Sequence, residues 1–290
     1  MAGQQKITTL DLQQKKEAGQ PITMLTAYDY PGAMLVDEAG IDIILVGDSL
    51  AMTVLGYPDT VSVTVDEMLH HCKAVARGAT RAFLIGDMPF MSYQIEQTEA
   101  IRNAGRFMKE GRMDAVKLEG GREIGETVWA VVQAGIPVMG HIGLTPQTIS
   151  KLGGYKVQGK TAAAARRLLE DALALEEAGC FSIVLEAIPA PVAEAVSQKL
   201  TIPAIGIGAG AGCDGQVLVF HDLLGLFDRF TPKFVKRYAD LRQPVLAALR
   251  TYREEVEMRV FPDASRIYDI DQTEWEHIKE ELDDWQRHVT

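Results

Sequence analysis

Residues 40–48 read Gly-Ile-Asp-Ile-Ile-Leu-Val-Gly-Asp, an apolar run of strand length that begins after a glycine and ends at a carboxylate. A helical pattern precedes it, in which Pro31 suits the first helical position and Gly40 the left-handed position after the last turn. The apolar residues are nearly continuous, which is typical of a parallel strand buried on both faces. The segment therefore predicts a helix, a turn and a buried strand that presents Asp48 at its carboxyl end.

The same arrangement recurs four more times along the chain. In each copy a glycine leads through an apolar run to a side chain that can do chemistry: Asp87, Glu119, His141 and Glu186. Parallel strands joined by helical crossovers all point their carboxyl ends at one face of the sheet. We therefore expect these separated residues to converge with Asp48 on one site.

Further apolar runs at 22–27, 203–207 and 217–220 bring the number of predicted strands to eight. Helical stretches separate nearly all of them, and none has the polar pattern of an exposed edge. These features favour a closed α/β fold, a (β/α)8 TIM barrel, over an open doubly wound sheet. A barrel of this kind takes roughly 250 residues, and we assign it to residues 1–260.

The remainder, 261–290, is predicted to be a C-terminal helical extension. It is charge-rich, and its apolar residues recur at three-and-four spacing: Trp275, Ile278, Leu282 and Trp285. A capping box of Thr273 and Glu276 would open this amphipathic helix. Its apolar stripe has two equally reasonable partners, the barrel of its own chain or a neighbouring subunit.

Composition narrows the function classes. The chain has 290 residues, a formal net charge of -11 and a pI near 5.1, which argues against a nucleic-acid or anionic-membrane surface. No apolar run approaches the roughly 20 residues of a membrane-spanning helix, and residues 1–20 are too polar for a signal peptide. Three cysteines without a CxxC pair do not make a disulfide framework. We expect a cytoplasmic protein whose partners are small-molecule substrates.

Asp48, Asp87 and Glu119 are carboxylates at three different strand ends. Their mutual repulsion in a partly desolvated cleft is unfavourable unless a cation is bound. The pattern contains no His or Cys cluster, so the ligands would be oxygens, which favours Mg²⁺ or Mn²⁺ over zinc. Because Mg²⁺ usually keeps several waters, we expect one of the three carboxylates to act through water.

Lys117 lies two residues before Glu119, so both side chains point to the same face of their strand. A lysine inside a barrel needs carboxylates or an anionic substrate as partners. It could bind a substrate carboxylate electrostatically, or act as a Schiff-base nucleophile. The first is favoured, because a site with a metal ion does not also need a Schiff base to stabilise an enolate.

Glu186 and His141 are the candidate acid–base residues. Apolar neighbours such as Val184 and Ile188 make a carboxylate bind a proton more readily, which suits Glu186 as a general base near neutrality. The alternative is a structural carboxylate that accepts from a backbone amide. His141 could be a second acid–base group, a donor to a substrate oxygen, or a purely structural residue.

Two loops complete the predicted site. The stretch Ser150 to Lys160 is longer than an ordinary connection and is a candidate lid. The glycine-rich loop 206–215 follows the seventh predicted strand. It satisfies a dinucleotide-binding glycine pattern, but an apolar strand follows it where that motif requires a helix. The loop either admits a bulky cosubstrate close to the backbone or packs tightly.

Six longer motifs lie at or after the predicted strand ends. They are Thr26-Ala27-Tyr28-Asp29, Val46-Gly47-Asp48-Ser49, Gly86-Asp87-Met88-Pro89-Phe90, Val116-Lys117-Leu118-Glu119-Gly120-Gly121, Gly140-His141-Ile142-Gly143-Leu144-Thr145-Pro146-Gln147 and Ile205-Gly206-Ile207-Gly208-Ala209-Gly210. Over about residues 6–260 the chain closely resembles the ketopantoate hydroxymethyltransferase family, which performs the first committed step of pantothenate synthesis.

This resemblance implies a barrel of the phosphoenolpyruvate mutase and isocitrate lyase superfamily with one Mg²⁺ per subunit. Asp48 and Asp87 would bind the ion, Glu119 would do so through water, and the substrate would chelate it. The substrate 3-methyl-2-oxobutanoate would also contact Ser49 and Lys117, with Glu186 as the proton acceptor.

The implied reaction passes through an enolate that Mg²⁺ stabilises. Its C3 would capture a one-carbon unit from 5,10-methylenetetrahydrofolate, the cosubstrate, and give 2-dehydropantoate. The family also forms homodecamers, so the resemblance implies a large assembly of this chain.

Two other enzyme classes compete with this interpretation. A lyase of the same superfamily would carry a catalytic cysteine in its lid loop, and the stretch Ser150 to Lys160 contains none. A metal-independent aldolase would use Lys117 as its Schiff-base residue. A barrel retained only as a scaffold is disfavoured by the intact set of reactive residues.

Overall fold

The computed structural model describes residues 5–289. The chain divides into two compact units between Ala239 and Asp240, whereas the sequence places the start of the extension at 261. The structure therefore groups the helix after residue 240 with the C-terminal helix.

The first unit is a closed barrel of eight parallel strands in chain order. Pairing of the first strand with the last closes the sheet. The strands are β1 Ile22–Thr26, β2 Ile43–Val46, β3 Phe83–Asp87, β4 Ala115–Glu119, β5 Val138–Gly143, β6 Ser182–Glu186, β7 Ala204–Ile207 and β8 Gly215–Leu218. The predicted (β/α)8 TIM barrel is confirmed.

Helices follow or connect the strands of this unit. They are α1 Thr9–Glu17, α2 Tyr30–Glu38, α3 Leu50–Thr53, α4 Val65–Gly78, α5 Gln97–Lys109, α6 Gly125–Gln133, α7 Ile149–Leu152, α8 Ala162–Glu177, α9 Ala190–Lys199 and α10 Phe220–Leu223, with 3-10 turns at Arg122–Ile124 and Pro146–Thr148. Among residues 5–289, no helix combines the length and the apolar character needed to cross a membrane.

Side chains alternate between two apolar layers along each strand. Ile43 and Leu45 belong to the barrel interior, whereas Ile44 and Val46 pack against the surrounding helices. Leu12 of α1 joins the interior layer, so α1 covers the amino-terminal end of the barrel. The same period of two fixes which polar residues face inward at the carboxyl ends of the strands.

The last strand lies two residues earlier than the predicted 217–220. Gly215 pairs with Ile22 and Ile205, where there is no space for a side chain: a Cβ at Gly215 would lie 2.6 Å from Ile205 Cδ1. Phe220 instead opens α10, with its amide donating to Thr26 Oγ1 at 2.9 Å. A run of apolar residues identified the strand but not its register.

The glycine-rich loop after β7 packs tightly against neighbouring side chains. A Cβ at Gly208 would lie 2.6 Å from Phe234, and one at Gly212 would lie 2.6 Å from Glu194. Gly208 also has a φ of +64°, which favours glycine. Tight packing within the chain is therefore sufficient to explain these glycines.

The second unit contains two longer helices, α11 Arg242–Glu257 and α12 Gln272–Val289, with a 3-10 turn at Ala264–Arg266 between them. The predicted amphipathic helix is present, but its predicted cap is wrong. Asp271 Oδ1 accepts from the amides of Thr273 and Glu274 at 2.9 and 3.3 Å, because a preceding aspartate caps at least as well as threonine. The stripe residues of α12 are exposed: Trp275, Ile278, Leu282 and Trp285.

Candidate active site

The carboxyl ends of the strands form one cavity of about 340 Å³. Its wall includes every residue that the sequence predicted for the site: Asp48, Ser49, Asp87, Lys117, Glu119, His141 and Glu186. Strand register explains the convergence, since Asp87 pairs with Lys117 and Glu119 pairs with His141. Each site residue on a strand follows an inward-facing residue at a spacing of two or four, so its side chain also points into the barrel. The inward-facing residues are Ile85, Ala115, Met139 and Val184.

Asp48 and Asp87 lie side by side and are each less than 5% exposed: 4% and 3%, respectively. The amide of Asp48 donates to Asp87 Oδ2 at 3.0 Å. Burial, together with the charges of Glu119 and Asp87, raises the pKa of Asp48 well above its ordinary value. Burial also raises the pKa of Asp87, although Lys117 opposes it. Two carboxylates this close together and this deeply buried need positive charge nearby.

Lys117 is the cation nearest to these carboxylates. Its Nζ lies 3.1 Å from Asp87 Oδ1 and 3.8 Å from Glu119 Oε1. Burial acts to lower the pKa of Lys117, but the surrounding carboxylates outweigh it and raise that pKa. A Schiff-base nucleophile must attack as the neutral amine, so this setting favours the electrostatic role over the aldolase alternative.

His141 connects Glu119 to Glu186. Its Nδ1 lies 3.2 Å from Glu119 Oε1, and its Nε2 lies 3.2 Å from Glu186 Oε2. Burial and the Lys117 charge act to lower the pKa of His141, but Glu119 and Glu186 outweigh them and raise it to about 9. Nδ1 is also 3.1 Å from Lys117 Nζ, so the imidazole ring lies between two carboxylates and beside the Lys117 ammonium. His141 thus lies between the carboxylates of Glu119 and Glu186.

Ser49 lies at the edge of the same cavity. Its Oγ is 2.8 Å from the Tyr28 hydroxyl, and it is half-buried at the start of α3. The hydroxyl is therefore held in place close to Asp48.

Two polar residues at the site were missed by sequence reasoning. Gln147 is buried and donates from Nε2 to Asp48 Oδ2 at 3.0 Å. The Tyr93 hydroxyl contacts Gln147 Oε1 at 2.8 Å and accepts from the amide of Glu119 at 3.0 Å. Gln147 is the last residue of the motif that begins at Gly140, but its side chain is an uncharged amide, and nothing in the sequence marked it as a site residue.

The donor set fits a hard divalent cation held by few protein ligands. Asp87 Oδ1 is buried and, among residues 5–289, accepts no hydrogen bond; its nearest polar contact is the Lys117 ion pair. Both oxygens of Glu119 are engaged, by His141 and by the amide of Gln147. Within the described residues, no three Asp, Glu, His or Cys side chains are arranged to hold a metal by themselves. A site of one or two carboxylates plus waters is the arrangement that Mg²⁺ prefers.

The mouth of the cavity is apolar and aromatic. The rings of Tyr155 and Phe230 approach to 6.0 Å, and Phe227, Phe234 and Val157 line the same wall. The predicted lid stretch Ser150 to Lys160 thus contributes to the cavity. Asp222 also lines it, and burial raises the pKa of this carboxyl to about 6.

A profile of the ketopantoate hydroxymethyltransferase family matches residues 6–264. The chain belongs to this family. The 3-methyl-2-oxobutanoate hydroxymethyltransferase of Oleidesulfovibrio alaskensis is 58% identical over 281 residues, covering 96% of this chain and 97% of the relative. The enzyme of the same name from Syntrophobacter fumaroxidans is 63% identical over 241 residues, covering 83% and 86%. These relatives confirm the resemblance and the interpretation as an enzyme of the ketopantoate hydroxymethyltransferase family.

Solved structures of other proteins share the fold of this family member. A phosphonopyruvate hydrolase complex with oxalate and Mg²⁺ is 13% identical, with a TM-score of 0.58 and 97% of each chain covered. 2,3-Dimethylmalate lyase, a member of the PEP mutase/isocitrate lyase superfamily, is 15% identical, with a TM-score of 0.54 and 97% of each chain covered. At these identities the likeness shows the fold alone, a barrel that this chain shares with both proteins.

Proposed function

We propose that this chain transfers a hydroxymethyl group from 5,10-methylenetetrahydrofolate to 3-methyl-2-oxobutanoate, giving 2-dehydropantoate for pantothenate biosynthesis. The names of relatives at 58% identity over almost the whole chain support the activity. One structural observation carries the residue roles: all seven predicted residues line a single cavity. In the balanced reaction, C3 loses a proton and gains the one-carbon unit, water supplies the hydroxyl group, and tetrahydrofolate leaves.

Asp48 and Asp87 are the residues that would hold Mg²⁺ in this proposal, with Glu119 acting through water. When bound, the ion would act as a Lewis acid on the oxygens of the 2-oxo acid. The buried Asp87 Oδ1, which accepts no hydrogen bond among the described residues, supports this role. Ser49 and Lys117 would bind the polar end of the substrate, since a hydroxyl and an ammonium suit keto and carboxylate oxygens.

Glu186 takes the C3 proton. It lies at the end of β6, and its side chain is 15% exposed at the cavity wall. His141 Nε2 lies 3.2 Å from Glu186 Oε2 and would keep this carboxylate aimed into the cavity. Glu119 holds the other ring nitrogen, so the imidazole cannot rotate away.

The outer cavity suits a flat aromatic cosubstrate. Its aromatic wall, formed by Tyr155, Phe227, Phe230 and Phe234, offers stacking surface. Lys156 and Lys233 line the same region and could meet the carboxylates of a folate tail. The cavity's volume of about 340 Å³ falls within the range of roughly 300–1,000 Å³ typical of drug-sized ligands, which exceeds the need of a five-carbon acid.

Proton exchange at C3 tests the chemistry without the cosubstrate. We would incubate 3-methyl-2-oxobutanoate with the protein in deuterated water and follow loss of the C3 proton by NMR, with and without a chelator. Wild type should exchange only with metal, and Glu186→Gln should slow exchange by about 10²–10⁴-fold, the typical contribution of a general base. Glu194→Gln, on the exposed face of α9, is the matched control.

Each failure would be informative. Exchange that survives chelation would refute the metal role and make Lys117 the next residue to test. Absence of exchange under every condition would refute the substrate. A homodecameric assembly and a cytoplasmic location remain proposals, and light scattering on the purified chain would test the first.

A further inference from the structure

Gln147 contacts the carboxyl ends of three different strands. It lies in the 3-10 turn Pro146–Thr148 that follows β5, and it is 3% exposed. Its Nε2 donates to Asp48 Oδ2 and to the Met88 carbonyl, both at 3.0 Å. Its backbone amide donates to Glu119 Oε2 at 3.0 Å. One residue therefore connects the ends of β2, β3 and β4.

The orientation of the amide follows from its partners. A carbonyl such as that of Met88 can only accept, so the nitrogen of Gln147 must face it. Its oxygen faces the Tyr93 hydroxyl at 2.8 Å. Both Nε2 protons are consequently in use, one of them on Asp48.

These contacts hold one oxygen of the Asp48 carboxylate and one oxygen of the Asp87 carboxylate, and they leave the second oxygen of each for a ligand. Asp48 Oδ2 is held by Gln147, and Asp87 Oδ2 is held by the amide of Asp48. Among residues 5–289, Asp87 Oδ1 accepts no hydrogen bond apart from its ion pair with Lys117. The carboxylates are thereby oriented for monodentate binding of a cation.

A neutral amide suits this task better than a cationic side chain. It satisfies one lone pair of Asp48 without cancelling the negative charge that attracts the cation. Lys117 already provides a positive charge on the Asp87 side.

We propose that Gln147 is a positioning residue for the divalent cation, acting through Asp48 and Glu119. The inference rests on the proposed metal-dependent function. Gln147 itself contacts neither the cation nor the substrate; it fixes the carboxylate that does.

Binding of Mn²⁺ to the substrate-free protein, followed by electron paramagnetic resonance, tests this directly. Mn²⁺ prefers the same oxygen ligands as Mg²⁺. Gln147→Met keeps the length of the side chain and removes the amide. We expect its Kd for Mn²⁺ to rise on the order of 10–100-fold, as for other residues that orient metal ligands, and the spectrum of the bound ion to change. Gln198→Met, at an exposed position of α9, should leave both unchanged.

The thermal midpoint of the metal-free variants separates positioning from general damage. If Gln147→Met does not fold, Tyr93→Phe removes the hydroxyl that contacts Gln147 Oε1 and accepts from the Glu119 amide. It loosens two residues of the proposed arrangement and should weaken Mn²⁺ binding severalfold. Folded Gln147→Met, or failing that folded Tyr93→Phe, with wild-type Mn²⁺ affinity and spectrum would overturn the inference alone. A wild type that binds no Mn²⁺ would overturn the metal proposal and this inference with it.

Discussion

The two ends of the barrel handle buried charge in opposite ways. At the amino-terminal end, charges pair one to one: Lys15 with Asp42, and Lys16 with Asp214, each at 2.7 Å. At the carboxyl end, Lys117 is shared between Asp87 and Glu119 while Asp48 receives no ion pair among the described residues. The first arrangement gives each of these carboxylates its own lysine and stabilises the fold, whereas the second leaves negative charge for a ligand.

The largest effect should come from removing the shared cation. Lys117→Met leaves buried carboxylates uncompensated, so we expect the free energy of unfolding at pH 7 to fall by about 3–5 kcal/mol. Added Mg²⁺ should recover part of this loss, because it compensates the same carboxylates. Urea titrations with and without Mg²⁺ would measure both effects, with Lys199→Met on the surface of α9 as the control. A loss below about 1 kcal/mol, the range of an exposed pair, would contradict the contrast between the two ends.

The matching substitution at the opposite end is Asp42→Asn. Asp42 Oδ2 accepts from Lys15 Nζ, and from the amide and the hydroxyl of Thr23 at 2.9 and 2.8 Å. Asn replaces the charged acceptor with a neutral amide oxygen, which removes the ion pair and weakens the bonds from Thr23, so stability should fall by about 1.5–3 kcal/mol. C3 proton exchange per folded molecule should stay at the wild-type rate, because this residue lies far along the barrel from the site. A large fall in that rate would mean that the two ends are not separable.

Lowering the pH should reduce the difference in the free energy of unfolding between wild type and Asp42→Asn. Burial acts to raise the pKa of Asp42, but Lys15 and Thr23 outweigh it and lower that pKa in the folded state. The stabilisation is therefore fully present above the unfolded pKa of about 3.9, and is lost as the pH falls through the lower folded value. Unfolding midpoints of both proteins between neutral pH and strong acid would show the gap closing; a gap that widens in acid would refute the assignment.

Most of the fold could be predicted from the sequence, because the helical period of 3.6 residues and the strand period of two leave clear patterns of apolar residues. Glycine-ended helices and continuous apolar strands specified the barrel, and the period of two placed Lys117 and Glu119 on one face. It could not specify the register of β8, since apolar residues continue from Val217 past the end of that strand. The close packing of the backbone at Gly215 sets the register of this strand.

The site was predictable where its chemistry is carried by charge. A carboxylate at the end of an apolar strand is visible in the sequence, and this pattern identified Asp87, Glu119 and Glu186. Gln147 does not, because its importance lies in which atoms its amide reaches, and those atoms belong to residues 59 and 99 positions away in the chain.

The smallest loss of stability should come from an exposed ion pair at the amino-terminal end, that of Lys6 and Asp114. Lys6 Nζ lies 2.7 Å from Asp114 Oδ2, as close as the Lys15 pair, but both side chains are about one-third exposed: 37% and 31%. Water screens such a pair, so Lys6→Met should change stability by only about 0–1 kcal/mol. Lys6 Nζ also donates to the carbonyl of Ala82, a buried residue, at 2.7 Å, so we expect the upper end of this range. A urea titration that gave Lys6→Met the same loss as Asp42→Asn would show that pairing distance, rather than burial, sets the stabilisation at this end.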